Sequence, residues 1–185
     1  MEPQVLYRVC YGTSTPNPFQ KSLLSFRPAL LHQHRRHRVL HHDYPAVIPQ
    51  QSSSVRGTFV RGLTDGDIYR LDIFEGNEYE RRRVKLKILD VEGNEAGEGN
   101  VEGEELDVET YIWVAGEEKL VDGEWDFAEF RREKMHNWIT SSDEYDEVDE
   151  AVRTHGNDPT GGRGSNGSIS DKLEGTKDKV LKSAV

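Results

Sequence analysis

The stretch GDIYRLDIFEGNEYERRRVKL, Gly66 to Leu86, changes its hydrophobic period partway along, and that change decides the fold class. Its first part sets Ile68, Leu71 and Phe74 at three-residue intervals, the spacing of one helix face. Thr64 stands as an N-cap with Asp67 three residues on, and Gly76 supplies a stop, so a helix is expected between them. Beyond Tyr79 the period becomes two: Val84, Leu86 and Ile88 share one face and Lys85 and Lys87 the other, which predicts a half-buried strand. Glu75 falls at the junction. On residue type alone it reads as an ordinary C-terminal helix residue, because buried carboxylates are exceptional. The competing reading places it beside the Phe74 ring and aims it into a sheet cavity, where desolvation raises its pKa and fits it for proton transfer near neutrality. Asp72 then occupies an adjoining helix face as a partner or a solvated acid.

Outward from this stretch, ALLHQHRRHRVL, PAVIPQ, SVRGTFVRGL and LDVETYIWVA are further strand-like runs, rich in β-branched and aromatic residues. DFAEFRREKMHNWI reads as a helix capped by Asp126 with Glu129, carrying a stripe of Phe127, Phe130, Met135, Trp138 and Ile139. PQVLYRVC reads as a weaker helix with Val5, Leu6 and Val9 inward and Cys10 as a small core residue. Strands with interspersed helices imply an α+β fold with a curved or closed sheet. Glu92 to Asp107 is polar enough to be expected as a long surface loop.

The chain has 185 residues, 34% hydrophobic and 31% charged, which fits one domain plus a segment that does not pack. That segment is expected from Ser141, where acids cluster and a Gly/Ser/Asn run follows, giving a domain over 1–140 and a disordered tail over 141–185. The net charge of −10 opposes nucleic acid and anionic membranes as partners. No apolar run approaches the roughly 20 residues that cross a bilayer. A lone cysteine and no leader-like opening place the expected compartment in the cytoplasm, with the nucleus as an alternative.

Two motifs are decoys by context. Gly162, Gly164 and Gly167 match a dinucleotide-binding pattern without the strand and helix it needs, and Asn166-Gly167-Ser168 is a glycosylation sequon without a secretory setting. His32, His34, His37, His41 and His42 crowd one stretch, but arginines flank them and only Asp43 adds a carboxylate, so a solvated strand is the simpler reading than a metal site.

Taken together, LDIFEGNEYERRRVKL, the preceding HDYPAVIP and the following ETYIWVAG and GEWDFAEFRREKM resemble the gamma-glutamylcyclotransferase-like superfamily, in its branch of plant and fungal avirulence-induced-gene-like proteins. The resemblance runs from about Gln4 to Ile139. It implies a small β-barrel with peripheral helices and intramolecular aminolysis of a small gamma-glutamyl compound, releasing 5-oxoproline and an amine. It assigns the acid/base role to Glu75, requires neither metal nor organic cofactor, and makes Tyr44 and Tyr79 candidates for the substrate-cavity wall, with core tyrosines of satisfied hydroxyl as the other reading. No oligomeric state is implied.

The family's donor loop reads YG[ST]L at the end of the first barrel strand. Here MEPQVL aligns just after that loop, so Tyr11-Gly12-Thr13 comes too late to be it. The chain beginning at Met1 is thus expected to lack the first strand and its loop, and to be inactive as it stands. The alternative function is a non-catalytic metabolite-binding or interaction module of the same fold.

Overall fold

The computed structural model describes residues 1–94, 96–140 and 145–154. By their contacts the described residues group into two compact units. A helical unit contains Met1–Ser25, Arg61–Phe74 and the described residues from Asn137 on; a sheet unit contains Phe26–Val60 and Glu75–His136.

In the helical unit, α1 (Pro3–Tyr11) starts with proline at a position where its missing N–H costs nothing, and buries Val5, Leu6, Tyr7, Val9, Cys10 and Tyr11. Gly12 closes it in the left-handed region at φ 71°, its N–H donating to the Arg8 carbonyl at 3.0 Å. The Tyr11-Gly12 pair is therefore a helix terminus with its glycine N–H already committed. A short α2 (Pro18–Ser22) follows, held by a reciprocal capping box between Asn17 and Gln20, and the Tyr11 hydroxyl donates to the Gln20 carbonyl.

Helix α3 (Asp65–Glu75) begins as its sequence requires, with Thr64 N–H and hydroxyl both donating to Asp67 Oδ2 at 2.8 Å and Asp67 N–H returning to Thr64 Oγ1 at 3.2 Å. Its buried face differs from the apolar stripe expected: Asp67, Arg70 and Leu71 are buried, while Ile68 and Phe74 are partly exposed. Arg70 explains the difference. Its Nη1 donates to the carbonyls of Val9 at 2.9 Å and Cys10 at 3.3 Å, satisfying acceptors that the end of α1 leaves open and placing a cation at the negative end of that helix.

The stretch expected to be an unstructured tail contains a helix, α6 (Asp146–Thr154), preceded by a fully buried Tyr145. Tyr145 stacks on Phe74 at 5.5 Å, and its hydroxyl donates to the Trp138 carbonyl. Arg8 lies over the Tyr145 ring at 4.5 Å and bonds Asp149 through both nitrogens at 3.0 and 2.6 Å. Burial of one aromatic ring and Val148, with a forked Arg–carboxylate pair, offsets the ordering entropy that composition alone left unmatched. Residues 155–185, including the glycine pattern at Gly162 and the sequon at Asn166, lie outside the described residues.

The sheet unit is an open antiparallel sheet, not the barrel expected. Its strands are β1 (Ser25–Val39), β2 (Pro45–Arg61), β3 (Tyr79–Val91), β4 (Val101–Trp113) and β5 (Leu120–Glu124), in the order β2-β1-β3-β4 with β5 also on β1. Closure fails where β1 divides its length between partners: Ala29 and Leu30 pair with Ile88 and Lys87 of β3, whereas His37 to Val39 pair with β5. Alternation within a strand fixes which side chains share a face, but not whether the outer edges meet.

Strand β4 also begins earlier than expected, so the surface loop ends before Val101. The reason is cross-strand charge: Lys85 and Lys87 of β3 reach Glu105 at 3.2 and 3.5 Å, and Arg81 reaches Glu109 at 2.7 Å. Register shifts in this ladder between Lys87 and Leu89 bring the consecutive residues Ile88 and Leu89 both into the core. After β5, Asp126 caps α4 (Phe127–Glu129) by accepting from the N–H groups of Ala128 and Glu129, and a π-helical stretch over Phe130–Lys134 leads into α5 (Met135–Thr140). The wider π turn breaks the expected stripe, leaving Phe130 buried and Phe127 exposed under the guanidinium of Arg36 at 5.9 Å.

Replacing Arg70 with Met keeps its bulk but strands the Val9 and Cys10 carbonyls. Denaturant unfolding is expected to show a loss of about 1.5 to 3 kcal/mol; an unchanged midpoint would mean that those carbonyls need no such partner.

Candidate active site

Helix α3 delivers Glu75, and the next residue turns the chain. Gly76 has φ 63°, and a Cβ built there meets nothing within 4 Å, so the demand for glycine is conformational rather than spatial. A single 3-10 turn (Gly76–Glu78) then passes directly into β3 at Tyr79. Two acids and a tyrosine are thus set within five residues by a tight helix-to-strand turn.

Glu78 is held from three directions. Its Oε2 accepts the Tyr44 hydroxyl at 2.9 Å, its Oε1 lies 3.4 Å from Lys119 Nζ, and its backbone carbonyl accepts Val114 N–H at 2.9 Å. Tyr79 is anchored beside it: its hydroxyl donates to the Pro45 carbonyl at 2.8 Å, and its ring meets Trp113 edge-on at 5.2 Å and Tyr44 at 6.5 Å. Trp113 belongs to a core with Val39 and Ala46, against which Tyr44, Ile48, Tyr79 and Leu120 pack. Trp113 is fixed in turn by an Nε1–H bond to the Gly116 carbonyl.

Glu75 is half-buried, and no side-chain hydrogen bond to its carboxylate is present among the described residues. Burial pushes its pKa from 4.5 up to about 7. The Tyr79 hydroxyl is raised as well, first by burial and then by the charge on Glu75, with smaller contributions from Tyr44 and Glu78. The three residues singled out from the sequence, Glu75, Tyr44 and Tyr79, therefore form one electrostatic group within the sheet unit. Glu78 and Lys119 were not anticipated. Glu78 had a signal, since it lies inside the same distinctive block, whereas Lys119 sits in a polar turn that carries none. Asp72 is exposed.

The histidine stretch contributes polar surface contacts: His32 to Glu102 at 2.9 Å and His37 to Gln50 at 3.3 Å. Among the described residues, no three His, Cys, Asp or Glu side chains are grouped to hold a metal ion, and no helix is long and apolar enough to cross a membrane.

A half-buried acid of raised pKa thus stands at a helix-to-strand turn of the antiparallel sheet, its charge felt by the Tyr79 hydroxyl. Residues 9–127 match the family model described as Gamma-glutamyl cyclotransferase, AIG2-like, and the chain belongs to that family. It is 34% identical over 104 residues to Protein AIG2 C of Arabidopsis thaliana, an alignment covering 56% of this chain and 56% of that protein, so it spans little over half of that relative. AIG2-like protein D of the same plant is 30% identical over 141 residues, covering 74% of this chain and 86% of its own length. The solution structure of another Arabidopsis thaliana protein superposes with a TM-score of 0.47 at 25% identity, covering 84% of this chain and 81% of that one.

The raised Glu75 pKa has a consequence for stability. Between pH 4.5 and about 7 the unfolded chain has ionised Glu75 while the folded chain keeps the proton, so the folded state binds more protons and this residue's contribution falls as pH rises. Glu75→Gln removes that loss. The variant is expected to gain stability relative to the parent across this window and to hold a constant advantage above it, measured by urea unfolding at several pH values. A difference that does not vary with pH would contradict the burial of the carboxyl.

Proposed function

We propose that this protein is a gamma-glutamyl cyclotransferase whose proton carrier is Glu75. The observation that carries the reading is a half-buried carboxyl, poised at about 7, with no competing side-chain hydrogen bond, beside Tyr79. The reaction joins the substrate's α-amine to its own γ-carbonyl carbon and breaks the γ-amide bond, giving 5-oxoproline and a free amine. The α-ammonium must first lose a proton, and the leaving nitrogen must gain one. A single group that accepts the first and returns it to the second conserves both, and a carboxyl with pKa near the working pH does each step with little penalty.

Tyr44 and Tyr79 serve as the substrate-binding wall in this reading. Each hydroxyl gives its proton to a protein acceptor, Glu78 and the Pro45 carbonyl respectively, so what each can offer a substrate is an acceptor oxygen. Such oxygens suit an ammonium group. Glu78, neutralised in part by Lys119, positions Tyr44. The substrate is a small gamma-glutamyl compound, and the chemistry calls for no metal or organic cofactor.

The direct test is 5-oxoproline release from gamma-glutamyl dipeptides, read on the 185-residue chain and on the same chain with a YG[ST]L strand and loop fused before Met1, and the Glu75 substitution is made in whichever form turns over. Glu75→Gln is expected to lower kcat by about 100- to 10,000-fold while dipeptide binding persists; retention of most turnover would overturn the assignment. Because the ionised carboxylate accepts the first proton, kcat/KM of the parent should rise with pH through about 7. Calorimetric binding of dipeptide without any 5-oxoproline would favour the non-catalytic module instead.

A further inference from the structure

The last turn of α3, Asp72-Ile73-Phe74-Glu75, is poorly supported by its own residues. Asp72 and Glu75 are acids at the helix's negative end, and no basic residue lies in that turn, so the helix dipole disfavours whatever charge they carry. Ile73 and Phe74 lose rotamer freedom in a helix and add little intrinsic propensity. Gly76 then leaves the helical region at φ 63°. A turn of this composition frays unless packing holds it.

Packing does hold it, at Phe74. The Phe74 ring stacks on Tyr145 at 5.5 Å with the planes 17° apart, and meets Trp138 of α5 edge-on at 6.2 Å. Tyr145 is itself fixed: its hydroxyl donates to the Trp138 carbonyl at 2.9 Å, and the Arg8 guanidinium lies 4.5 Å from the centre of its ring. Tyr145 is fully buried, and so is Val148 of α6. Three rings therefore close around the end of α3, and two of them come from the part of the chain that follows the sheet unit.

Charge seats α6 on α1. Arg8, the one basic residue of α1, grips Asp149 through both terminal nitrogens at 3.0 and 2.6 Å, and Asp146 adds a weaker attraction. The other charges of α6 are Glu147, Glu150 and Arg153, and Arg153 pairs with Glu150 on its own helix at 3.0 Å. The Arg8 side chain is only 15% exposed, so the fork is partly shielded from water. Lifting α6 from α1 breaks this fork and takes Tyr145 from Phe74 together.

We propose that Tyr145 and α6 form a strap that positions the proton carrier: seated on α1, they hold Phe74 and with it the last turn of α3, which ends at Glu75. Unseated, that turn frays and the carboxyl meets water. Tyr145, Arg8 and Asp149 are positioning residues, and turnover becomes conditional on whether the C-terminal helix is docked. The consequence for turnover rests on the reading of Glu75 as proton carrier, whereas the strap itself is testable without any reaction.

The test is a carbon-13 NMR titration of the Glu75 carboxyl in the full 185-residue chain and in strap variants, with amide hydrogen exchange at Phe74 and Glu75 read on the same samples. Tyr145→Ala removes the stack: its Glu75 midpoint should fall by about one pH unit or more from near 7, and the two amides should exchange at least about tenfold faster. Tyr145→Phe keeps the ring and should match the parent. Arg8→Gln breaks the fork and should also lower the midpoint. Loss of its positive charge alone would move the midpoint upward, so the sign separates undocking from a through-space effect. Ile88→Val trims a buried residue of β3 away from the strap and should leave the midpoint in place. An unmoved midpoint in Tyr145→Ala and Arg8→Gln, or an equal fall in Tyr145→Phe or Ile88→Val, would overturn the strap and leave the cyclotransferase reading standing. In the form that releases 5-oxoproline, the rising limb of kcat/KM should move to lower pH in Arg8→Gln along with the midpoint. A limb that stays while the midpoint moves would remove Glu75 from the proton-carrier role and leave the strap standing.

Discussion

The turn at Gly76 is the constraint on which the sheet unit's chemistry rests. A left-handed residue at that point ends α3 at Glu75 and lets three residues of 3-10 turn pass straight into β3. Because Tyr79 pairs with Trp113 at the start of the β3–β4 ladder, the turn also sets which side chains face the Val39, Ala46 and Trp113 core. One extra residue would exchange the faces of β3 and take Tyr79 from Trp113 and from the Pro45 carbonyl. Glu75 has no such freedom. Its position at the end of a capped helix, one residue before the turn, places its carboxyl in a partly dry environment with no side-chain hydrogen-bond partner among the described residues to hold its charge.

That environment distinguishes the two acids of the turn. Glu78 is satisfied by Tyr44 and Lys119, and serves as a fixed anion that orients its neighbours. Glu75 is raised by burial and left available. Two carboxylates three residues apart thus divide the work by surroundings rather than by type: one holds geometry, the other holds a proton.

Much of this was legible in the residues themselves. Thr64, Asp67 and Gly76 marked both ends of α3, the alternation through Val84, Leu86 and Ile88 marked β3, and Pro3 with Val5, Leu6 and Val9 marked α1. What could not be read depended on partners distant in the chain. Helix α6 looks like a solvated acidic run until Asp149 meets Arg8 across 141 residues, and Tyr145 meets Phe74. The first residues of β4 look like loop until their acids face the lysines of β3. Openness of the sheet could not be read either, since closure depends on edges meeting. Glu75 and Tyr79 were singled out from one distinctive block of sequence and Tyr44 from a second, whereas the grip of Lys119 on Glu78 exists only once the turn after β4 folds back.

The claim that carries the rest is that the folded protein keeps the Glu75 proton to near neutrality. The most direct measurement is a carbon-13 NMR titration of the Glu75 side-chain carboxyl, assigned by comparison with Glu75→Gln. A midpoint near 7 is the predicted result. A midpoint near the ordinary 4.5 would show a solvated, ionised carboxylate and would contradict the proton-carrier role.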